Sequence, residues 1–550
     1  MNVENNLHKI LTPGRIFGFA LLLMIPMVFL EQIPERDIAG RYAPMAEALV
    51  RGDWAYAFHP RIPMLHPVLA GIVAWITGCA GFTACKIVSA LFYALSVFPA
   101  YILFKRLFGR ETALLGALLT VLCSHLIRLG YFGLRESIKE FAILLAVCAL
   151  ILVYQNREKL SGYFLGALAC MMLITSRGDI VLYAILILLM FLFIDLRRNR
   201  RWHLPWRSVG AGILTLMLIS PTLIYGYRTI GYPVPEARIG IVMSKVLPFL
   251  YNPHASVKLP GHEGPSDRTP PFEIASILTA SPNTVMPKTP STEPTIISSN
   301  VPFGVNREMA FAFASSVFDG FYPLFGIPAL AIIILRIRKG QWKKEESIVL
   351  GALLVHTLIV TVQIMLFDHY LYVSTRYLTP AAPLLFGWSA LFLIGAVQEL
   401  RERFPRHVTP VRIGVVASVM ALLLLADGWG SLLKDFTSPE KSHKRQASRI
   451  IAAWLKNDFT NGRQYVPRQI SWESYLVNKA PVVYCDNLHV VGSMANGQDF
   501  DILHPLSPDY VILRAAPGES SAGLTVKDGR LVKEFDIQGT IYRIFRRNNP

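Results

Sequence analysis

The feature that most constrains this chain is a succession of long apolar runs. Crossing about 30 Å of hydrocarbon takes about 20 helical residues, and eleven runs approach or exceed that length. Hydrophobic residues make up 53% of the chain and charged residues only 17%, a balance too apolar for an ordinary soluble protein. We therefore predict a polytopic α-helical membrane protein. The runs lie near residues 16–32, 84–104, 112–130, 137–154, 161–176, 179–196, 208–228, 312–336, 347–367, 377–397 and 411–431.

The distribution of basic residues selects among the possible topologies. A twelfth apolar run, 67–78, is too short to span and is interpreted as an interfacial or re-entrant helix. With eleven spans and a cytoplasmic N-terminus, every strongly basic turn falls in the cytoplasm, as the positive-inside rule requires. Counting 67–78 as a span would place the same turns outside. These turns are KRLFGR (105–110), YQNREK (154–159), DLRRNRRWH (195–203), RIRKGQWKK (336–344) and QELRERFPRH (398–407).

This topology places the polar loops 31–67, 229–311 and 368–377 outside, together with short turns around Arg135 and Arg177. The first run follows Lys9 and Arg15 without a small-residue cleavage site after it, so we read it as a retained span. We expect a bacterial inner membrane protein.

The chain divides by composition into two predicted domains. Residues 1–436 form the transmembrane domain, in which 252–306 is rich in Pro, Ser and Thr and is predicted to be a mobile lid or a disordered segment. Residues 437–550 turn soluble and predict an extracytoplasmic α/β domain. Its helix-like stretch SHKRQASRIIAAWLKNDF is followed by strand-like runs at QYVPRQI, APVVYCD, DYVILR and TIYRIF.

Charge and cysteine content exclude two other classes of protein. The net charge of +17 comes from residues at the ends of apolar runs, which indicates helix anchoring on the cytoplasmic side and not nucleic-acid binding. Most of the six cysteines lie inside apolar runs, and none has CxxC spacing. Neither a disulfide framework nor a structural zinc site is indicated.

Asp37, just outside the first span, is the first candidate for chemistry. A carboxylate at the rim of a partly dry cavity can act as a general base toward a hydroxyl or amine. The alternative is a solvated aspartate that caps the helix running to Val50.

The surrounding pattern resembles a known family. An acidic residue is followed by Arg41-Tyr42, Ala46, Gly52-Asp53-Trp54 and HPVLAGIVAWI, then by YFGLRESIKEFAILLAVCAL and, late in the chain, STRYLTPAAPLLF. Motifs in this order resemble the GT-C glycosyltransferases, and within them the relatives of protein O-mannosyltransferases and lipid A aminoarabinose transferases. The family often has two prolines where this chain has His66-Pro67.

The resemblance implies a membrane enzyme that moves a sugar, with inversion, from a polyprenyl phosphate carrier to a lipid, glycan or protein acceptor at the outer face. It implies that Asp37 is the base and that Glu136 is a second acidic residue of the site. The simpler interpretation of Glu136 is a helix N-terminal acid that complements the dipole.

Cations near these acids are the candidates for binding the carrier phosphate. Arg135 and Lys139 could pair with Glu136 or hold phosphate oxygens. Arg177, in TSRGD, could do the same or form an interfacial ion pair with Asp179. The remaining candidates for substrate or phosphate binding are Arg376, Tyr377, Arg41, Tyr42 and His66. The alternative for Arg376 is that its side chain snorkels to the lipid headgroups. The alternative for His66, which lies near His59 in the sequence, is a packing role, the commoner one for such a histidine pair.

This chemistry requires no cofactor, because the leaving group is already a phosphate ester. A divalent cation between Asp37 and Glu136 is compatible with the arrangement, although no cluster of ligands demands one. A transporter or lipid flippase is the alternative function, and a silent scaffold or a lipid-linked-sugar polymerase is a third. The absence of an inverted repeat and the concentration of ionisable residues at one face argue against transport.

Overall fold

The structure of the protein is a computed structural model. The structure describes residues 11–29, 38, 42–58, 62–156, 158–198, 205–236, 239, 248–252, 307–367, 375–405, 409–438, 446–447, 450–451, 454, 473–477, 480–485, 488–493, 500–501, 510–515, 526–527 and 529–547. The predicted lid and the predicted catalytic residue Asp37 therefore lie outside the described residues.

The described part of residues 1–438 is almost entirely helical, because a chain in hydrocarbon must satisfy its backbone hydrogen bonds internally. The helices are α1 (Pro13–Phe29), α2 (Ala43–Arg51), α3 (Trp54–Ala57), α4 (Leu65–Thr77), α5 (Gly81–Leu95), α6 (Val97–Phe108), α7 (Arg110–Leu122), α8 (Ser124–Tyr131), α9 (Glu136–Gln155), α10 (Leu160–Ser176), α11 (Val181–Arg198), α12 (Trp206–Ile230), α13 (Arg307–Gly320), α14 (Pro323–Arg338), α15 (Lys344–Phe367), α16 (Thr375–Leu378), α17 (Pro383–Arg403) and α18 (Pro410–Thr437).

The apolar runs and the helices coincide. Six helical stretches are long and apolar enough to cross a membrane, and two bent pairs, α7 with α8 and α13 with α14, raise the number to eight. α1, α10 and α11 cover the remaining predicted runs. The polytopic membrane fold is therefore confirmed, while the sidedness of the loops stays a prediction.

The described part of the predicted first loop contains α2 and α3, and α4 follows it. α2 ends at Gly52, whose left-handed φ of 78° turns its N–H back onto the Ala48 and Leu49 carbonyls. α2 approaches α4 closely because Gly71 has no side chain: a Cβ there would lie 2.5 Å from Leu49 Cδ2. α2 of this loop is thus packed closely against α4.

α9 is the central helix of the bundle. Its side chains are buried along most of its length, including Glu136, Lys139 and Glu140 at its first two turns. α18, in contrast, presents mostly exposed apolar side chains, as expected for a lipid-facing helix. The charged first turns of α9 are therefore placed inside the protein and not at its surface.

A second buried charge stabilises the end of the bundle that we predict to be cytoplasmic. Glu346 is fully buried and forms an ion pair with Arg336 at 2.7 Å. Its other oxygen accepts hydrogen bonds from Arg336 Nε and Trp388 Nε1, both at 3.0 Å. The ion pair joins α14, α15 and α17.

The C-terminal region contains strands β1 (Glu473–Val477), β2 (Ala480–Cys485), β3 (Leu488–Ser493), β4 (Phe500–Asp501), β5 (Tyr510–Ala515), β6 (Val526–Lys527), β7 (Gly529–Ile537) and β8 (Thr540–Arg547). The six-stranded sheet has the order β1-β2-β3-β5-β8-β7, with β3 and β5 parallel. β7 and β8 are joined by Gln538-Gly539, both at positive φ, as a type I′ hairpin requires. The small α/β region is confirmed, its boundary at 437 stays a prediction, and QYVPRQI lies outside the described residues.

Candidate functional site

An ion pair at the start of α9 forms the centre of the candidate site. Glu136 is the first residue of α9, and Arg177 follows the last residue of α10 in an extended conformation. Arg177 Nη1 donates to Glu136 Oε1 at 2.8 Å, with side-chain exposures of 5% and 2%. Glu136 Oε2 is also buried, and no described residue gives it a hydrogen bond.

Arg135 immediately precedes α9 and lies on the same side of the site. Its Nη1 donates to the Ser176 carbonyl at 3.3 Å, and its guanidinium lies 5.7 Å from the centre of the Tyr42 ring. Arg135 Nε is buried without a hydrogen-bond partner among the described residues. The site thus contains a buried donor and a buried acceptor on adjacent residues, neither of them satisfied by the described chain.

α16 brings a further aromatic residue, Tyr377, and one cation, Arg376, to the site. The Arg177 guanidinium lies 4.3 Å and that of Arg376 5.2 Å from the centre of the Tyr377 ring, both within cation–π range. Lys139, which is fully buried, donates from Nζ to the Tyr377 carbonyl at 3.0 Å. Residues far apart in sequence, near 42, 136, 177 and 377, therefore converge at one place.

His66 lies beside this cluster and has the environment of a packed side chain. It is fully buried, its ring centre lies 5.1 Å from that of Tyr42, and its Nε2 lies 3.2 Å from Ser89 Oγ, which in turn donates to the Leu134 carbonyl. At the first turn of α4, the helix that we predict to be interfacial, burial and the nearby Arg135 charge lower the pKa of His66 to about 3. A neutral imidazole at this position favours the packing role over phosphate binding.

Two buried charges of the site were not found by sequence analysis. Glu236, at the start of the predicted long outer loop, accepts a hydrogen bond from the Gly178 N–H at 2.9 Å. Lys86, on α5, is buried and donates to the Met27 and Val28 carbonyls at the end of α1. The lysine could have been found as an ionisable residue inside an apolar run, whereas no local pattern marks Glu236.

The structure thus describes eight of the ten predicted site residues and brings them into contact or near contact. Asp37 and Arg41 lie outside the described residues, as does His59, and so does the side chain of Asp179. Among the described residues, no group of three or more histidines, cysteines, aspartates or glutamates could hold a metal ion. The roles assigned to the site residues, and the cation proposed between Asp37 and Glu136, stay predictions.

The charges of the described cluster are not balanced. In this part of the described chain, Arg135, Arg177 and Lys139 are buried cations and Arg376 is a half-buried one. The buried carboxylates are Glu136, Glu236 and, one turn along α9 from Glu136, Glu140. Buried charges are expensive unless they are paired. A cluster with more cations than anions, at the N-terminus of a helix whose dipole also favours negative charge, is suited to an anion.

Comparison with known proteins finds similar sequences. Residues 59–225 match the family model described as dolichyl-phosphate-mannose-protein mannosyltransferase. A 209-residue stretch is 28% identical to an undecaprenyl phosphate-alpha-4-amino-4-deoxy-L-arabinose arabinosyl transferase from Erwinia tasmaniensis. That alignment covers 36% of this chain, and the chain spans only 37% of the length of this relative.

One solved structure is similar in fold over nearly the whole chain. The crystal structure of ArnT from Cupriavidus metallidurans bound to undecaprenyl phosphate superposes with a TM-score of 0.51, at 12% identity, over 96% of this chain and 97% of that one. At this identity the likeness concerns the fold. The resemblance predicted from the sequence is confirmed at the level of the fold: the chain is an integral membrane protein with the GT-C fold. Parts of it are similar in sequence to protein mannosyltransferases and to an aminoarabinose transferase.

Proposed function

We propose that this protein is an inverting glycosyltransferase that takes a sugar from a polyprenyl phosphate carrier and transfers it to an acceptor at the outer face of a bacterial inner membrane. The observation that carries the proposal is the buried, cation-rich cluster around Arg135, whose Nε lacks a hydrogen-bond partner among the described residues. A phosphate oxygen is the acceptor that suits a guanidinium best, because it forms charge-assisted hydrogen bonds.

Each step of the proposed reaction has a group suited to it. The acceptor oxygen bonds to the anomeric carbon while the bond from that carbon to the phosphate oxygen breaks. Asp37 takes the acceptor proton, and the departing electron pair goes to the phosphate. Arg135, Arg177 and Lys139 stabilise the charge that develops there, which requires fixed cations in a site shielded from water.

The positions of the described residues also support the orientation of the substrates. Arg135, Glu136 and Arg177 lie at one end of α9 and α10, the end that the positive-inside rule assigns to the outside. Arg376 and Tyr377 close the site from α16. The domain at 437–550 and the outer loop 229–311 are the parts of the chain left to contact the acceptor.

The proposal is tested with purified protein and undecaprenyl phosphate carrying a labelled pentose or hexose. We expect release of free undecaprenyl phosphate by the wild type, strong loss of release in Asp37→Asn and Arg135→Gln, and little change in Arg403→Gln, an exposed arginine at the far end of α17. Intact folding in each variant is checked by size-exclusion chromatography. No release with any donor, accompanied by movement of the carrier across proteoliposomes, would contradict transfer and support a flippase.

A further inference from the structure

Glu136 has one carboxylate oxygen that the described part of the chain leaves unsatisfied. Oε1 accepts from Arg177 at 2.8 Å, and this ion pair fixes the orientation of the carboxylate. Oε2 is buried and has no hydrogen-bond partner among the described residues. A buried acceptor without a partner costs free energy, so a donor supplied by a bound molecule would remove that cost.

Arg135, the residue before Glu136, limits which chemical group of the bound molecule can reach Glu136 Oε2. Arg135 Nε, also buried and unpartnered within the described chain, is the proposed ligand of the carrier phosphate. The phosphodiester of a sugar donor carries no O–H group, so it can satisfy Arg135 but has nothing to donate to Glu136. The group that meets Glu136 must be a hydrogen-bond donor attached close to the phosphate.

We infer that Glu136 Oε2 accepts a hydrogen bond from the hydroxyl on the sugar carbon next to the anomeric carbon. The inference rests on the proposed function, because a phosphate on Arg135 is what brings the anomeric carbon and its neighbour to the adjacent residue. An ammonium group is a poorer candidate, since Arg135, Arg177 and Lys139 would repel it. The selected substrates are therefore polyprenyl phosphate sugars with a free 2-hydroxyl.

This contact would also contribute to the rate of transfer. The anomeric carbon gains positive charge as its bond to phosphate breaks, and hydrogen bonds to the 2-hydroxyl strengthen in such transition states. Glu136 gains no proton in this step, because the proton of the acceptor goes to Asp37. Glu136 is then a catalytic residue that binds the sugar, and not a second base.

The test compares donors with the 2-hydroxyl and donors without it, in two proteins. Undecaprenyl phosphate pentose and hexose donors, each with and without the 2-hydroxyl, are assayed with the wild type and with Glu136→Gln. Removal of the 2-hydroxyl itself makes a glycosyl donor more reactive, so rates with the two kinds of donor cannot be compared within one protein. The informative quantity is the donor ratio, defined as the rate with the 2-hydroxyl donor divided by the rate with the donor that lacks it, and its change between the two proteins. A hydrogen bond to a charged group predicts that this ratio falls about 10- to 100-fold in Glu136→Gln.

A second variant covers the case in which loss of the Arg177 ion pair prevents folding. Glu136→Asp keeps the charge but withdraws the carboxylate by one methylene, and the same fall in the donor ratio is expected. If both donors slow by an equal factor in these variants, Glu136 does not bind the hydroxyl and the inference is wrong. If the wild type turns over no donor of the panel, the proposed function itself fails, which is a different result.

Discussion

Replacing Arg177 with methionine tests whether the Glu136 ion pair is the structural centre of the site. The pair is buried, with side-chain exposures of 5% and 2% and a separation of 2.8 Å. Removing one partner of a buried pair leaves an uncompensated charge and costs about 3–5 kcal/mol. Loss of the contact with the Tyr377 ring, at 4.3 Å, adds about 0.5–2 kcal/mol.

An exposed ion pair of similar length is the matched control. Arg403 and Glu399 lie 2.6 Å apart on α17, but their side chains are 69% and 57% exposed. Water and salt screen such a pair, so Arg403→Met should cost only about 0.3–0.5 kcal/mol. The two arginine variants are therefore expected to differ several-fold in their effect.

The assay is equilibrium unfolding in mixed micelles with an increasing fraction of denaturing detergent. Arg177→Met should be far less stable than Arg403→Met. The double variant Arg177→Met/Glu136→Leu should recover most of the loss, because it removes both charges together. An Arg177→Met protein as stable as the Arg403→Met control, or a double variant no better than the single one, would refute the buried pair.

Three further predictions address other parts of the structure. In Gly178→Ala the new Cβ would lie 2.4 Å from Glu236 Oε2. The carboxylate must then give up its hydrogen bond with the Gly178 N–H, so the free energy of unfolding should fall by about 1–3 kcal/mol. Gly210→Ala is the control and should not destabilise the protein, because the space around its Cβ is open. Glu346→Gln should lower the unfolding midpoint without changing the ratio between donors, whereas a changed ratio would mean that the two ends of the bundle are coupled. The pKa of His66 is lowered to about 3 in the folded protein. Between pH 6.5 and pH 3 the imidazole is therefore protonated in the unfolded chain but not in the folded protein, so the free energy of unfolding falls as the pH drops through this range. His66→Gln should abolish about 2 kcal/mol of the loss between pH 7 and pH 5, and equal pH dependence in both proteins would contradict a buried neutral imidazole.

The transmembrane helices could be predicted from the sequence because the hydrocarbon imposes a simple rule. Any segment that crosses it must be long, apolar and helical, and each predicted run is helical in the structure. The assignment of α4 as interfacial rests on its length and on the positions of the basic turns, and it stays a prediction. In the C-terminal region, strand-like runs predicted β2, β5 and β8, whereas five strands with weaker patterns were missed: β1, β3, β4, β6 and β7.

The contacts between side chains of the site could not be predicted from the sequence. Glu136 and Arg177 each stood out as charged residues beside an apolar run, but their pairing depends on how α9 packs against α10. The contact of Glu236 with Gly178 depends in addition on the path of a loop that has no periodicity. Local patterns identify candidate residues, and only packing determines which of them meet.

The hydrogen bonds around Arg135 and Arg177 bear on whether the cluster has a structural role or binds a ligand. A structural network would be fully satisfied within the protein, whereas this one leaves a donor on Arg135 and an acceptor on Glu136 unpartnered among the described residues. Buried polar groups are satisfied in the great majority of cases. The occurrence of exceptions of both signs on adjacent residues is the basis of our proposal that this cluster is a binding site.

The most direct test of the central claim is the density of undecaprenyl phosphate in a cryo-EM structure of the protein bound to it. The account predicts a phosphate oxygen about 2.7–2.9 Å from Arg135 Nε, with the cations of Arg177 and Lys139 on the same side. Phosphate density away from these three residues, or an unchanged position of the phosphate in the Arg135→Gln protein, would contradict the claim that this buried cluster binds the carrier.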